Sequence, residues 1–216
     1  MNKRCFIFGN SPTILKEDLK SIADEDIFIV NRGYKIKSYV DFKFTNMKYY
    51  VLSDKKHAKI YIHEIQSHTK EMIKYVCSTI QSGDQKQLHG EIRLFNRSDE
   101  TEFNRWPESF EQGWAWPKTV VTDAVMIAYF LGYKEIYLLG VDLDYSNASG
   151  NYFYPASQHD IKMRNNIPNS IDHILSTLTK VSEGLFNRNV KIANLSKQFK
   201  HKGVMPTSTL ELVNNS

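Results

Sequence analysis

Short apolar runs along this chain each end on residues that can do chemistry. In order, the ends read Gly9-Asn10-Ser11, Asn31-Arg32, Ser53-Asp54, Ser78-Thr79, Asn96-Arg97, Asp142 with Asp144, and Asn194 with Ser196. Amide, hydroxyl and guanidinium groups of this kind hydrogen-bond a nucleotide or a sugar and neutralise a phosphate. Asp142-x-Asp144 behind an apolar run is also an oxygen-donor pattern for Mg2+ or Mn2+ against a diphosphate. His159 sits in PASQHDI with Tyr152, Tyr154 and Asp160 close by, where a carboxylate can orient the ring of a general base. His173, one turn inside a helical pattern, is the second candidate base. The histidines at 57, 63, 68, 89 and 201 show no metal spacing with a third ligand and are left out of the expected site.

Residues so scattered meet only if the fold brings the run ends together. Strands are expected at about 4 to 9, 26 to 30, 49 to 52, 74 to 78, 91 to 95, 135 to 141 and 190 to 194. Helices fit best at about 14 to 23, 57 to 72, 119 to 131 and 169 to 187. The last opens with the capping sequence Pro168-Asn169-Ser170, and its Ile171, Ile174, Leu175, Leu178 and Val181 recur at helical spacing. Such alternation predicts an α/β fold with a mainly parallel sheet flanked by helices. In an open parallel sheet the carboxyl ends of the strands share one edge, and ligands bind there where the strand order reverses. The segment 96 to 118, NRSDETEFNRWPESFEQGWAWPK, lacks periodicity and carries Trp106, Trp114 and Trp116. It is expected to be a lid-like insertion or acceptor-binding region within a single domain spanning 1 to 216.

Composition narrows the field. Of 216 residues, 41% are hydrophobic and 24% charged, an ordinary globular balance. No apolar run is long enough to span a membrane, and MNKRCFIFGNSP turns at Gly-Asn where a signal peptide would continue, so a cytoplasmic location is expected. Cys5 and Cys77 lie in strand-like runs and read as buried, reduced thiols. The net charge of +4 suits an anionic ligand or peripheral contact with the inner face of a membrane. No basic stripe with interleaved aromatics marks a nucleic-acid groove. GNSPT, between a strand and a helix, can present backbone N–H groups to a phosphate, but it is neither GxGxxG nor GxxxxGK[ST].

FIFGNSPTI, DIFIVNRGY, YYVLSD and TVVTDAVMIAYFLGYKEIYLLGVD together resemble the bacterial lipooligosaccharide sialyltransferases, over about residues 4 to 54 and 117 to 145. They also resemble the group named 6-hydroxymethylpterin diphosphokinase MptE-like, to which NYFYP and VKIANLS are closer. The resemblance implies a Rossmann-like domain that moves a sialic acid-like sugar from a CMP-activated donor to a surface glycan or protein, with no metal required. It implies that Gly9, Asn10 and Ser11 lie against the nucleotide, that Asn31 faces the donor, and that Thr119 and Asp142 match the Thr of a TSG segment and the Asp of a GID. Tyr145 or Tyr152 would hydrogen-bond the leaving phosphate, and His159 or His173 would be the base. Asp54 stands where those enzymes carry an Asn, and Val120 and Val121 replace the Ser and Gly. Two other readings follow. One is Mg2+-dependent pyrophosphoryl transfer from ATP to a pterin, with Asp54, Asp142 and Asp144 as ligands. The other is a nucleotide- or glycan-binding module without chemistry.

Overall fold

A computed structural model describes residues 3–98, 100, 103–144, 152–166 and 170–214. The strands are β1 (Arg4–Phe8), β2 (Asp26–Val30), β3 (Met47–Leu52), β4 (Ile73–Cys77), β5 (Ile92–Phe95), β6 (Glu135–Leu139) and β7 (Lys191–Asn194). All pair in parallel in one sheet of order β5-β4-β3-β2-β1-β6-β7. Strands covered on both faces must be apolar throughout, and Phe6, Ile7 and Phe8 of β1 and Ile136 to Leu139 of β6 are fully buried. Chain order runs outward from β1 to β5, then crosses back to place β6 on the other side of β1. The reversal therefore falls between β1 and β6, in register from Arg4↔Glu135 to Phe8↔Leu139.

The helices are α1 (Lys55–His68), α2 (Ser82–Gln85), α3 (Val120–Phe130), α4 (Gln158–Asn166), α5 (Ile171–Phe186) and α6 (Leu210–Asn214). α3 is buried on nearly every side and mostly apolar, as a helix enclosed by protein must be; it packs on β1, β2, β3 and α5. α5 shows the amphipathic stripe, burying Ile174, Leu178, Val181 and Leu185. Among the described residues no helix is long and apolar enough to cross a membrane. Cys5 and Cys77 are buried and free.

Three local expectations are corrected. The helix at 14 to 23 is instead two 3-10 turns, Pro12–Lys16 and Leu19–Ile22. Ile14, Leu19 and Ile22 are still buried, so the apolar anchors hold while the backbone between them is tighter than α. PASQHDI is not all loop: α4 begins at Gln158 and puts His159 in its first turn. Ser170 does sit at the N-cap of α5, yet its side chain makes no capping hydrogen bond; Pro168 and Asn169 lie outside the described residues.

Candidate active site

A cleft of about 820 Å³ opens along the carboxyl edge of the sheet. Its floor is the β1/β6 crossing, where the backbones nearly touch. Gly9 N–H donates to Leu139 O at 2.7 Å and Ser11 N–H to Gly140 O at 3.0 Å. A Cβ on Gly9 would come within 2.2 Å of Gly140 O, so only glycine fits there. Gly140 turns the chain out of β6 with φ +66.

Asp142, 5% exposed, is held on both oxygens: Ser11 Oγ donates to Oδ2, and Thr13 Oγ1 donates to Oδ1 at 2.7 Å. It therefore ties the loop after β6 to the loop after β1 and shapes the cleft wall. Asp144 pairs with Lys200 at 3.4 Å. Asp54 caps α1, accepting from His57 N–H at 2.9 Å, and Thr119 caps α3, accepting from Val121 N–H at 3.3 Å. Both caps line the cleft, so the positive ends of α1 and α3 face it. Lys55, Lys56 and Lys118 line it too, without an ion pair among the described residues. Asn31 reaches the wall with φ 50.

Arg32 takes another place. It does not line the cleft; it donates to Asp160 Oδ2 at 2.8 Å and to Glu64 at 3.1 Å, and its guanidinium lies 4.5 Å from the Tyr61 ring centroid. Burial works against its charge, but Glu64 and Asp160 outweigh burial and hold its pKa above the usual range. Asp160 also accepts from Ser157 Oγ at 2.9 Å, and Ser157 Oγ is hydrogen-bonded to Tyr61 OH. This chain of contacts locks α4 against α1.

His159 consequently faces the cleft, with its buried Nε2 lacking a hydrogen-bond partner. Tyr152 lines the cleft and stacks on Tyr154 at 5.3 Å, its hydroxyl donating to Asp160 O at 3.4 Å. His173 does not line the cleft: its Nε2 lies 3.3 Å from Trp116 O and joins α5 to the 96–118 segment. Tyr145 lies outside the described residues.

One feature was not foreseen. His57, set aside on metal spacing, is 6% exposed, lines the cleft and leaves Nε2 without a partner. Its signal was present in the sequence, because His57 precedes Tyr61 by one helical turn and shares the buried face with Ala58, Ile62 and Ile65. Arg97 also lines the cleft, bound to the fully buried Asp123 and donating to Ser53 O at 3.4 Å. Trp114 Nε1 donates to the same carboxylate at 2.8 Å, and its ring stacks on Phe95 at 5.2 Å. Among the three tryptophans of the 96–118 segment, Trp114 is thus a core anchor, whereas Trp116 is 47% exposed and lines the cleft beneath Lys118 Nζ at 3.5 Å.

No protein-family model matches the chain, and no curated protein matches it. Among solved structures, the MAf glycosyltransferase from Magnetospirillum magneticum AMB-1 is similar over 100% of this chain with TM-score 0.62 and 14% identity. The chain spans 34% of that protein's length. A mutant of the alpha-2,3/8-sialyltransferase CstII is similar over 95% of this chain and 86% of its own, with TM-score 0.51 and 18% identity. At these identities the shared property is the fold, one parallel sheet with flanking helices in the Rossmann-like manner.

Proposed function

We propose that this chain is a glycosyltransferase that moves an acidic, sialic acid-like sugar from a CMP-activated donor to a hydroxyl of a surface glycan or protein. The observation that carries the reading is the cleft at the strand-order reversal, which combines three lysines, two helix N-termini and a histidine whose Nε2 has no partner among the described residues. A leaving phosphate needs the first two, and an attacking hydroxyl needs the third. The fold shared with glycosyltransferases and the motif resemblance support the same class.

In this reading His159 Nε2 accepts the acceptor hydroxyl's proton as that oxygen attacks the anomeric carbon. The bond from that carbon to the phosphate oxygen breaks, and CMP leaves with the electron pair. Gly9, Asn10, Ser11 and Asn31 hold the nucleotide; Thr119, Tyr152 and the lysines meet the charge gathering on the phosphate. Asp142 and Asp54 act by shaping, one through its two hydroxyl partners and the other as a helix cap. The 96–118 segment supplies Trp116 as an acceptor platform. The reaction needs no metal, and we assign it to the cytoplasm, with the basic chain touching the inner membrane face where glycan acceptors are assembled.

Pyrophosphoryl transfer is the weaker reading. Its three expected ligands, Asp54, Asp142 and Asp144, are engaged by a helix cap, two hydroxyls and Lys200, and they form no three-ligand group among the described residues. A thermal-shift panel separates the readings. CMP without metal at about 100 times its dissociation constant should add about 2.7 kcal/mol and raise Tm by several degrees. A shift only with ATP and Mg2+ overturns the transferase in favour of the kinase; no shift with any nucleotide leaves a binding module.

A further inference from the structure

Buried polar atoms nearly always have partners, so those without one mark places where a ligand atom belongs. Among the described residues, three that line the cleft carry such an atom: Asn10 Oδ1, His57 Nε2 and His159 Nε2. The two histidines come from α1 and α4, and both pack against one ring. His57 lies 4.8 Å from the Tyr61 centroid and His159 lies 5.8 Å from it. The Tyr61–Ser157–Asp160–Arg32 contacts described above hold that arrangement before anything binds.

The chemistry of the pair selects its ligand. Burial, opposed by Asp54 and Asp160, pushes the His57 pKa down to about 4, so its ring is uncharged at neutral pH. It cannot serve as a counter-ion for phosphate; positive charge in the cleft is carried by Lys55, Lys56, Arg97 and Lys118. A neutral imidazole between aromatic side chains is suited to a hydroxyl on a ring whose carbon face rests on the aromatics. Tyr152 and Tyr154, stacked on each other in the same cleft, supply that aromatic wall. His57 follows β3, two strands from β1, or roughly 10 Å at about 4.8 Å per strand spacing, and so stands to one side of the β1/β6 crossing.

We propose that His57 and His159, held in place by the Tyr61 ring behind them, form a sugar subsite in which His57 Nε2 hydrogen-bonds a hydroxyl of a polyhydroxylated ring. The assignment rests on the transferase reading. His57 binds and does not carry the reacting proton; that remains with His159.

The experiment compares wild type, His57→Phe and His57→Gln by calorimetric titration with CMP, CMP-sialic acid and lactose, the last as a galactoside probe. Phe keeps the ring volume and deletes the nitrogen, while Gln keeps a side-chain hydrogen-bonding group. The expected result is a loss in affinity of about tenfold for His57→Phe with one sugar-bearing probe, unchanged affinity for CMP, and partial recovery in His57→Gln. Loss with CMP-sialic acid identifies the donor ring, and loss with lactose identifies the acceptor ring. Equal affinities in all three proteins, or an equal loss with CMP itself, overturn the subsite and leave the transferase reading intact. A wild type that binds none of the three probes overturns both. Should His57→Phe fail to fold, His57→Leu, which also deletes the nitrogen, decides: unchanged affinity for both sugar probes makes His57 a packing residue and sinks the proposal.

Discussion

Two buried polar clusters flank the cleft, and they differ in one respect. Around Asp123, Arg97 and Trp114 both direct their donors at one carboxylate. Around Tyr61, the two histidines each keep an open nitrogen. The first cluster is complete in the free protein and fastens the 96–118 segment to α3. The second is complete only when something else enters. Closure of hydrogen bonds thus separates a brace from a binding surface within one pocket wall, although both contain the charged and aromatic residues that are usually read as functional.

That contrast can be broken by substitution, and the largest effect is expected at the open cluster. His159→Ala should lower the turnover of a CMP-sugar by a hundred- to ten-thousand-fold, as loss of a general base does, while the melting temperature stays put or rises. Turnover within threefold of wild type would remove His159 from the chemistry. At the closed cluster the damage should run the other way. Asp123→Ala leaves the half-buried Arg97 guanidinium without its carboxylate and the Trp114 indole N–H unpaired, and should cost about 3 kcal/mol of stability in urea melts. Protein that remains folded should bind CMP normally; weakened binding at full stability would erase the distinction drawn here.

The smallest expected effect is a pH dependence that belongs to His57. In the unfolded chain its ring takes a proton near the ordinary 6.5, whereas in the folded protein burial delays this to about 4. Between those values the unfolded state binds the extra proton, so stability is lost as pH falls through the window, by up to about 3 kcal/mol at 1.36 kcal/mol per pH unit. Urea melts at pH 7, 5.5 and 4.5 should reveal that slope in wild type, and His57→Phe should flatten it. An unchanged slope in the variant would show that other groups carry the acid sensitivity.

Much of the fold was legible because parallel strands covered on both faces announce themselves as unbroken apolar runs. RCFIF, DIFIV and EIYLL could hardly be anything else, and all the expected strands are present in one sheet. α4 was hidden for the opposite reason. QHDIKMRNN has little apolar content and no stripe, and what fixes it is the Arg32–Asp160 contact across 128 positions of sequence. The convergence of candidate residues was visible as a set, since Gly9, Asn10, Ser11, Asn31, Asp54, Thr119, Asp142, Tyr152 and His159 all line one cleft. Their individual tasks were not. The type of residue does not say that Arg32 faces two carboxylates, that Asp142 is held by two hydroxyls, or that His57 is left unsatisfied. Those facts depend on which helix face meets which strand end.

The crossing of β1 and β6 has a consequence for how the molecule is made. β1 lies in the interior of the sheet, yet its neighbour β6 is synthesised some 130 positions later, as the pairing of Cys5 with Ile136 records. Until that stretch has left the ribosome, the fully buried row from Cys5 to Phe8 presents an open apolar edge, and the Gly9 turn has nothing to lean on. Long-range parallel pairing of this kind is slow and prone to mispairing. The cleft is therefore among the last features to mature, and a nascent chain stalled before residue 139 lacks the β6 side of its floor, however well its first five strands have assembled.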